Sequence, residues 1–137
     1  MKAFVPLFFL VLMFGSPALG AEPRIGVELN KLEAEGGSCQ AYLVLENGTE
    51  DAFDRLVLDL VMFDPDGIIA RRLAVDLAPL AAGKLAVKVF SVPDLACASI
   101  GRVLVNGVLG CEAGGASHED CLSLVETTSR VDVDLIN

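Results

Sequence analysis

The sequence predicts an all-β protein, an antiparallel β-sandwich of immunoglobulin-like architecture with about seven strands. Three observations favour this class: short runs in which apolar and polar residues alternate, turn-forming residues between those runs, and no apolar spacing of helical period. A small closed β-barrel is the alternative, because the same strands can close on themselves. The chain has no Trp, so its likeness to immunoglobulin domains concerns architecture alone.

The first 20 residues have the layout of a cleavable signal peptide. Lys2 precedes an apolar run over 3–14, and small residues stand before a cleavage position at Ala21. The run is shorter than the roughly 20 residues of a membrane-spanning helix. No Arg-Arg pair precedes it, which favours the general secretory route. We therefore expect a periplasmic protein whose single domain covers 21–137, without a stable membrane anchor after cleavage.

The four cysteines predict two disulfide bonds, since an even number in an exported chain is typical of a covalent framework. We predict that Cys111–Cys121 closes a polar loop between two late strands. Cys39–Cys97 then ties the start of the second strand to a crossover. The sequence contains no closely spaced CxxC pair of the kind that structural zinc sites use.

The formal net charge of −9 becomes −10 once Lys2 leaves with the signal peptide. Nucleic acids and anionic lipids both require a cationic face on their partners. The charge therefore argues against either as a partner.

The first two strands are predicted over 24–30 and 39–46. In the first, Ile25, Val27 and Leu29 share one face. The sequence Asn-Gly-Thr at 47–49 follows the second strand. It matches a glycosylation acceptor, but we interpret it as a turn.

The third and fourth strands, 56–63 and 68–77, flank Asp-Pro-Asp-Gly at 64–67. These residues could begin a calcium loop, but the later ligands are missing, and the order of Asp, Pro and Gly suits a type I turn. A three-residue hairpin loop would pair Asp64 with Ile68.

If that register continued without interruption, the numbers of each two directly opposed residues would sum to 132. A carboxylate would then be buried beside leucines, which is unfavourable. A one-residue bulge changes the sum to 131 or 133. At 131, Leu58 faces Leu73, Leu56 faces Val75, and Asp59 pairs with Arg72. We predict a bulge between Asp59 and Arg72.

The fifth strand, 84–90, has the most regular alternation in the chain. Leu85, Val87 and Val89 are predicted to face the core, and Lys84 and Lys88 the solvent.

The late part of the chain has weaker patterns. We expect a crossover over 91–99 with a helical turn at 94–96, and a sixth strand over 102–109 interrupted at Asn-Gly. A short strand at 122–125 and a seventh over 130–136 follow. Asp132 and Asp134 would lie on the solvent-exposed face of that edge strand.

Three segments, CQAYLVLENGT, LDLVMFDPDGIIARRLAVDLAPLAAGK and GRVLVNGVLGC, resemble a family of small exported proteobacterial proteins. Its members are often labelled Tat pathway signal sequence domain proteins, although this chain has no twin arginine. The resemblance implies an exported protein of this fold, and it implies no chemistry.

No residue pattern predicts catalysis, a cofactor or a metal. The lone His118 has just Ser117 and Ser123 nearby as nucleophiles, and the phenylalanines are expected in the core rather than on a carbohydrate platform. We therefore expect a non-enzymatic accessory or adaptor that contacts another envelope protein. A small-ligand or metal-binding module using the acidic loops is the alternative. Arg71 and Arg72, an adjacent basic pair in an acidic chain, are the candidate contact residues.

Overall fold

The structure, a computed structural model, describes residues 1, 12, 14–16 and 22–137. The predicted signal peptide, 1–20, therefore lies almost wholly outside the described residues.

The described part of the chain contains nine strands and two short 3-10 helices. The strands are β1 (Ile25–Glu35), β2 (Ser38–Asn47), β3 (Phe53–Phe63), β4 (Ile69–Asp76), β5 (Leu85–Val92), β6 (Arg102–Ala113), β7 (Ala116–Ser117), β8 (Val125–Ser129) and β9 (Asp134–Ile136). The 3-10 helices cover Cys97–Ser99 and Cys121–Leu124.

The strands form two sheets, which confirms the predicted β-sandwich. One sheet has the order β5-β2-β1-β8, and the other has the order β4-β3-β6-β7 with β9 also paired to β6. Both sheets end in edge strands, so the described chain does not close into a barrel. Most pairs are antiparallel, but β8 runs parallel to β1 and β9 runs parallel to β6. The predicted antiparallel sandwich is therefore confirmed, and these two short strands add parallel pairs to it.

Alternating residues from both sheets fill the space between them. On β3, Leu56, Leu58, Leu60 and Met62 are all at most 1% exposed. The facing sheet contributes alternate apolar residues of β1 and β2, which belong to the same cluster. Period-two burial of this kind is the pattern that the sequence showed.

The β3–β4 hairpin has the predicted turn and a bulge. The backbone N–H of Asp64 donates to Ile68 O at 2.7 Å, and Gly67 has φ +83°. The bulge lies at Ala70, between the pairs Met62–Arg71 and Phe63–Ile69.

Beyond the bulge, the paired residue numbers sum to 133 rather than 131. Leu58 therefore opposes Val75, and Arg72 opposes Val61. The direct pairs predicted at 131 are wrong, because the extra residue lies on β4 instead of β3. Both registers put the apolar faces together, so the apolar pattern could not choose between them.

The predicted orientation of β5 is wrong. β2 packs Ala41, Leu43 and Leu45 into the core, and these residues pair directly with Phe90, Lys88 and Ala86. Directly opposed residues share a face of the sheet. Lys88 is therefore on the core side at the margin of the sandwich, and Leu85, Val87 and Val89 point outward.

The late segments also differ from the prediction. Residues 121–124 form a 3-10 helix instead of a strand, and the crossover's helical turn lies at Cys97–Ser99 rather than at 94–96. Instead of one strand over 130–136, β8 ends at Ser129 and β9 begins at Asp134. The Ser129 hydroxyl donates to Val133 O at 2.6 Å and holds the bend between the two sheets.

Two disulfides join the predicted cysteine pairs, Cys39–Cys97 and Cys111–Cys121. The first ties β2 to the helix after β5, and the second ties β6 to the helix before β8. Disulfides of this kind form and persist in oxidising compartments, which indicates an extracytoplasmic environment for the folded chain.

Candidate functional site

Arg71 and Arg72, the predicted contact pair, are both bound to groups of the protein itself. Arg72 binds the carboxylate of Asp59 through Nε and Nη2 at 2.8 and 2.7 Å. Arg71 donates from Nε to Pro93 O at 3.2 Å and from Nη2 to Asp94 O at 3.1 Å. The bulge separates their roles, because it puts Arg71 on the inner side of β4 at the rim and Arg72 on the outer side.

Asp59 is nearly buried, at 3% exposure, on the outer face of β3. It also accepts a hydrogen bond at 2.9 Å from Asn106 Nδ2. The hydrogen bond from Arg72, followed by that from Asn106, lowers the Asp59 pKa to about 2. Asn106 is an extra residue in the β6 ladder, and bulges of this kind re-aim side chains. The predicted interruption of β6 is therefore a bulge that completes a polar cluster.

The most exposed apolar feature of the sheets is a row of three side chains on β5, here named the β5 stripe. It consists of Leu85, Val87 and Val89, which are 69%, 64% and 41% exposed. On the same face, Val87 lies beside Val44 of β2 and Val89 lies beside Tyr42. A contiguous exposed apolar row is typical of an interaction surface.

The β5 stripe lies on one side of the sandwich, where the edge strands β4 and β5 stack. Arg71 marks this proximity by bonding from β4 to the chain just after β5. Residues 22–137 expose eight large apolar side chains, and five lie on β5 or at the β3–β4 hairpin: the β5 stripe together with Ile68 and Ile69 at the hairpin tip, 65% and 63% exposed. Ile69 pairs with Phe63 on the outer face of the other sheet, so the hairpin tip and the β5 stripe are separate apolar features.

The charged residues of β5 and of the position before it are both lysines. Lys84 and Lys88 flank the β5 stripe in sequence, and β5 contains no acidic residue. In the part of the chain that the structure describes, neither lysine has a carboxylate oxygen within 4.0 Å. These cations therefore stand without the ion pairs that Arg24, Lys31, Arg55, Arg72 and Arg130 make in an acidic protein.

The turn at 64–67 uses its first carboxylate locally. Asp64 Oδ1 accepts hydrogen bonds from the backbone N–H groups of Asp66 and Ile68 at 3.0 and 2.9 Å. The arrangement is an Asx-type turn, as the composition of the loop favours.

The Asn-Gly-Thr motif is also structural. Asn47 is fully buried, and its amide nitrogen donates to the carbonyl oxygens of Asp51, Leu80 and Ala81. Its oxygen accepts from the backbone and the hydroxyl of Thr49. The amide nitrogen that would carry a glycan is therefore inside the fold, and Asn47 fastens the β2–β3 connection to the β4–β5 connection.

His118 lies on an open groove of 490 Å³ that also contacts Arg55, Glu112 and Asp120. Its ring packs edge-to-face against Phe53 with 6.3 Å between centroids. Nearby Ser123 donates its hydroxyl proton to Asp120 O at 2.6 Å. This geometry gives His118 a packing contact, and it engages the Ser123 hydroxyl with a backbone carbonyl.

The phenylalanines divide between the core and the surface. Phe53 is 2% exposed and Phe90 packs against the core. Phe63 is half-buried on the outer face of β3, where the Arg102 guanidinium lies 4.9 Å from its ring centroid. The expectation that all three are core residues was wrong for Phe63, because the core-facing positions of β3 are even-numbered from Leu56 onward, after the register shift between Phe53 and Arg55.

Among the described residues, no group of three or more His, Cys, Asp or Glu side chains is arranged to hold a metal ion. The helices of the described chain lack the length and apolar character needed to cross a membrane.

No protein-family model matches the chain, and no curated protein matches it significantly. Among solved structures, the chain is similar to IrmA from Escherichia coli, with a TM-score of 0.57 and 14% sequence identity. The alignment covers 77% of this chain and 92% of that chain. The shared property is the fold. The resemblance to the Tat-labelled family remains a prediction from the sequence.

Sequence reasoning missed the β5 stripe. Alternation shows that one face of a strand is more apolar, but the covered face is decided by the neighbouring strand. One local signal pointed the other way: Phe90 and Val92 continue the even-numbered face, and both are packed in the structure.

Proposed function

We propose that this chain is a non-enzymatic periplasmic protein, exported by the general secretory route, which acts as an accessory or adaptor by binding another envelope protein. The observation that supports this most is the β5 stripe, because exposed contiguous apolar surface on a small soluble domain marks interaction sites. Its position on an edge strand adds unpaired backbone groups to the same surface.

The cellular location is supported by two independent features. The leader has the basic, apolar and small-residue regions of a secretory signal. The two disulfides fit an oxidising compartment such as the periplasm.

The proposed contact surface is centred on the β5 stripe rather than on the arginine pair. Arg71 and Arg72 are occupied by internal acceptors, which leaves them fewer free donors for a partner. The hairpin tip, with Ile68 and Ile69, is a second, separate contact position on the other sheet.

A pull-down from periplasmic extract of the source organism tests this function. The chain from Ala21 is the bait, Val87→Lys removes the apolar character of the stripe, and Leu109→Lys is the matched control. Leu109 is 57% exposed but lies on β6. We expect a partner that the unmodified bait and Leu109→Lys recover equally and that Val87→Lys loses. Ile68→Lys and Arg71→Ala with Arg72→Ala report on the hairpin in the same assay.

Equal recovery with Val87→Lys would exclude the β5 stripe as the contact surface. An absence of any partner, together with a melting temperature raised by calcium or zinc, would favour the alternative function of ligand or metal binding.

A further inference from the structure

We propose that the free edge of β5 binds an extended segment of another protein by β-strand addition, and that this segment alternates apolar and acidic residues. The inference rests on the proposed function, since it concerns the same surface. It adds the binding mode and the chemistry of the partner.

The first support is the regularity of the edge. β5 pairs with β2 through eight consecutive residue pairs, from Cys39–Val92 to Glu46–Leu85, with no register shift. In the described chain its other edge has no strand partner. A long and regular free edge presents a row of backbone donors and acceptors to an incoming strand.

The other sheet edges are less suited to strand addition. β4 is interrupted by the bulge at Ala70, and β7, β8 and β9 contain two, five and three residues. Bulges, short length and charged side chains, lysine above all, are the usual protections of edge strands. β5 is regular over eight residues, and its protection is the inward-facing Lys88, which disfavours any added strand that does not place an acidic residue beside it.

Side-chain chemistry determines which segment fits. In an added strand, residues on one face lie beside Leu85, Val87 and Val89, and residues on the other face lie beside Lys88. The first set is favoured when apolar. The second set is favoured when acidic, because Lys88 has no carboxylate within 4.0 Å in the described structure. Lys84 extends the same preference at the start of the strand.

Charge complementarity also argues against a second copy of this chain as the occupant. Pairing β5 with another β5 would place Lys84 and Lys88 of both copies on adjacent strands, and β5 has no acidic residue to offset them. Like charges on neighbouring strands are unfavourable. We therefore assign the edge to a segment of a different protein.

The test uses a capped peptide of alternating valine and glutamate, as long as β5, titrated into the ¹⁵N-labelled chain from Ala21. We expect chemical-shift changes that saturate and map to β5 and its neighbours on β2. Amide exchange on β5 should slow by about tenfold or more at saturation, because edge N–H groups become paired. A valine–lysine peptide should bind at least about tenfold more weakly, about 1.4 kcal/mol.

Two controls separate pairing from simple contact. A valine–glutamate peptide N-methylated at consecutive residues keeps its side chains but cannot form the ladder, and it should not bind. Lys88→Glu should reverse the preference between the glutamate and lysine peptides. Equal binding of the N-methylated peptide, or an unchanged preference in Lys88→Glu, would overturn the proposal.

The remaining outcomes are also decisive. Absence of binding by the valine–glutamate peptide, with a pulled-down partner still sensitive to Val87→Lys, would reject strand addition and leave the proposed function intact. A concentration-dependent dimer in sedimentation, abolished by Val87→Lys, would assign the edge to a second copy and also overturn the proposal.

Discussion

Arg72 binds Asp59 diagonally across the β3–β4 pair. The two nitrogen–oxygen distances are 2.8 and 2.7 Å, although the residue directly opposite Arg72 is Val61. Diagonal neighbours on one sheet face are within reach of a long side chain. The ion pair expected between these residues therefore forms, although the numbers of directly opposed residues sum to 133 and not to the expected 131.

The acid stability of the protein should depend on Asp59. Hydrogen bonds from Arg72 and then Asn106 lower its pKa from 3.8 to about 2. Because folding lowers this pKa, the stabilisation is complete above a pH of about 4 and is lost as the pH falls toward about 2. We expect Asp59→Asn to be less stable than the unmodified protein at neutral pH. The difference in free energy of unfolding should shrink across that acid range.

Urea unfolding at a series of pH values measures this difference. Asp132→Asn is the control, because its side chain is exposed and makes no ion pair in the described structure. Its curve should stay parallel to that of the unmodified protein. A difference for Asp59→Asn that is constant from neutral to acid pH would contradict the assigned role.

Because of the orientation of β5, the same valine-to-alanine substitution should affect the free energy of unfolding strongly at one position of the strand and weakly at another. Val92 is 1% exposed and Val87 is 64% exposed. Val92→Ala should cost about 2 kcal/mol, because it removes buried methyl groups and leaves a cavity. Val87→Ala should change the free energy of unfolding by less than about 0.5 kcal/mol. Chemical denaturation distinguishes them, and a larger loss for Val87→Ala would mean that the stripe faces the core.

Gly101 is predicted to tolerate no side chain. A Cβ at this position would lie 2.6 Å from Asp64 O and 2.9 Å from Pro65 Cα, so the backbone of the β3–β4 turn would have to move. Gly101→Ala should destabilise by about 1–3 kcal/mol. Gly107→Ala is the matched control, since no heavy atom lies within 4 Å of its Cβ position. Equal melting temperatures for the two variants would refute the close approach.

The two disulfides should contribute unequally to stability. They close loops with sequence separations of 58 and 10 residues. In the chain-entropy model, removing Cys39–Cys97 costs about 4 kcal/mol and removing Cys111–Cys121 about 3 kcal/mol. Double alanine variants at each pair, unfolded in urea, should show this order. The reverse order would mean that native packing, rather than loop length, determines their contributions.

Local patterns were sufficient for much of the fold. The alternation in β1, β2 and β3 identified their core faces, and Asp64 and Gly67 identified the hairpin turn. Both disulfide pairs followed from the order of cysteines relative to the predicted strands. These features depend on residues that are close in sequence or on the simple need to cover one face of a sheet.

The candidate site was not predicted in the same way. The sequence singled out Arg71 and Arg72 because they are adjacent and basic. Their hydrogen-bond acceptors lie on β3 and on the crossover after β5, so only the folded structure shows that both arginines are bound internally. The residues of the β5 stripe were identified as a set but were assigned to the wrong face. A property that depends on a neighbour distant in sequence could not be inferred from the strand itself.

The sequence by itself determined the first six strands, the β3–β4 turn and the covalent framework. The tertiary structure alone decided the side of the bulge on β4, the parallel pairing of β8 and β9, and the outward orientation of the β5 stripe. The physical reason is that a strand has two faces and two edges of similar local energy. The choice between them is made by the burial and hydrogen bonding that each neighbour provides.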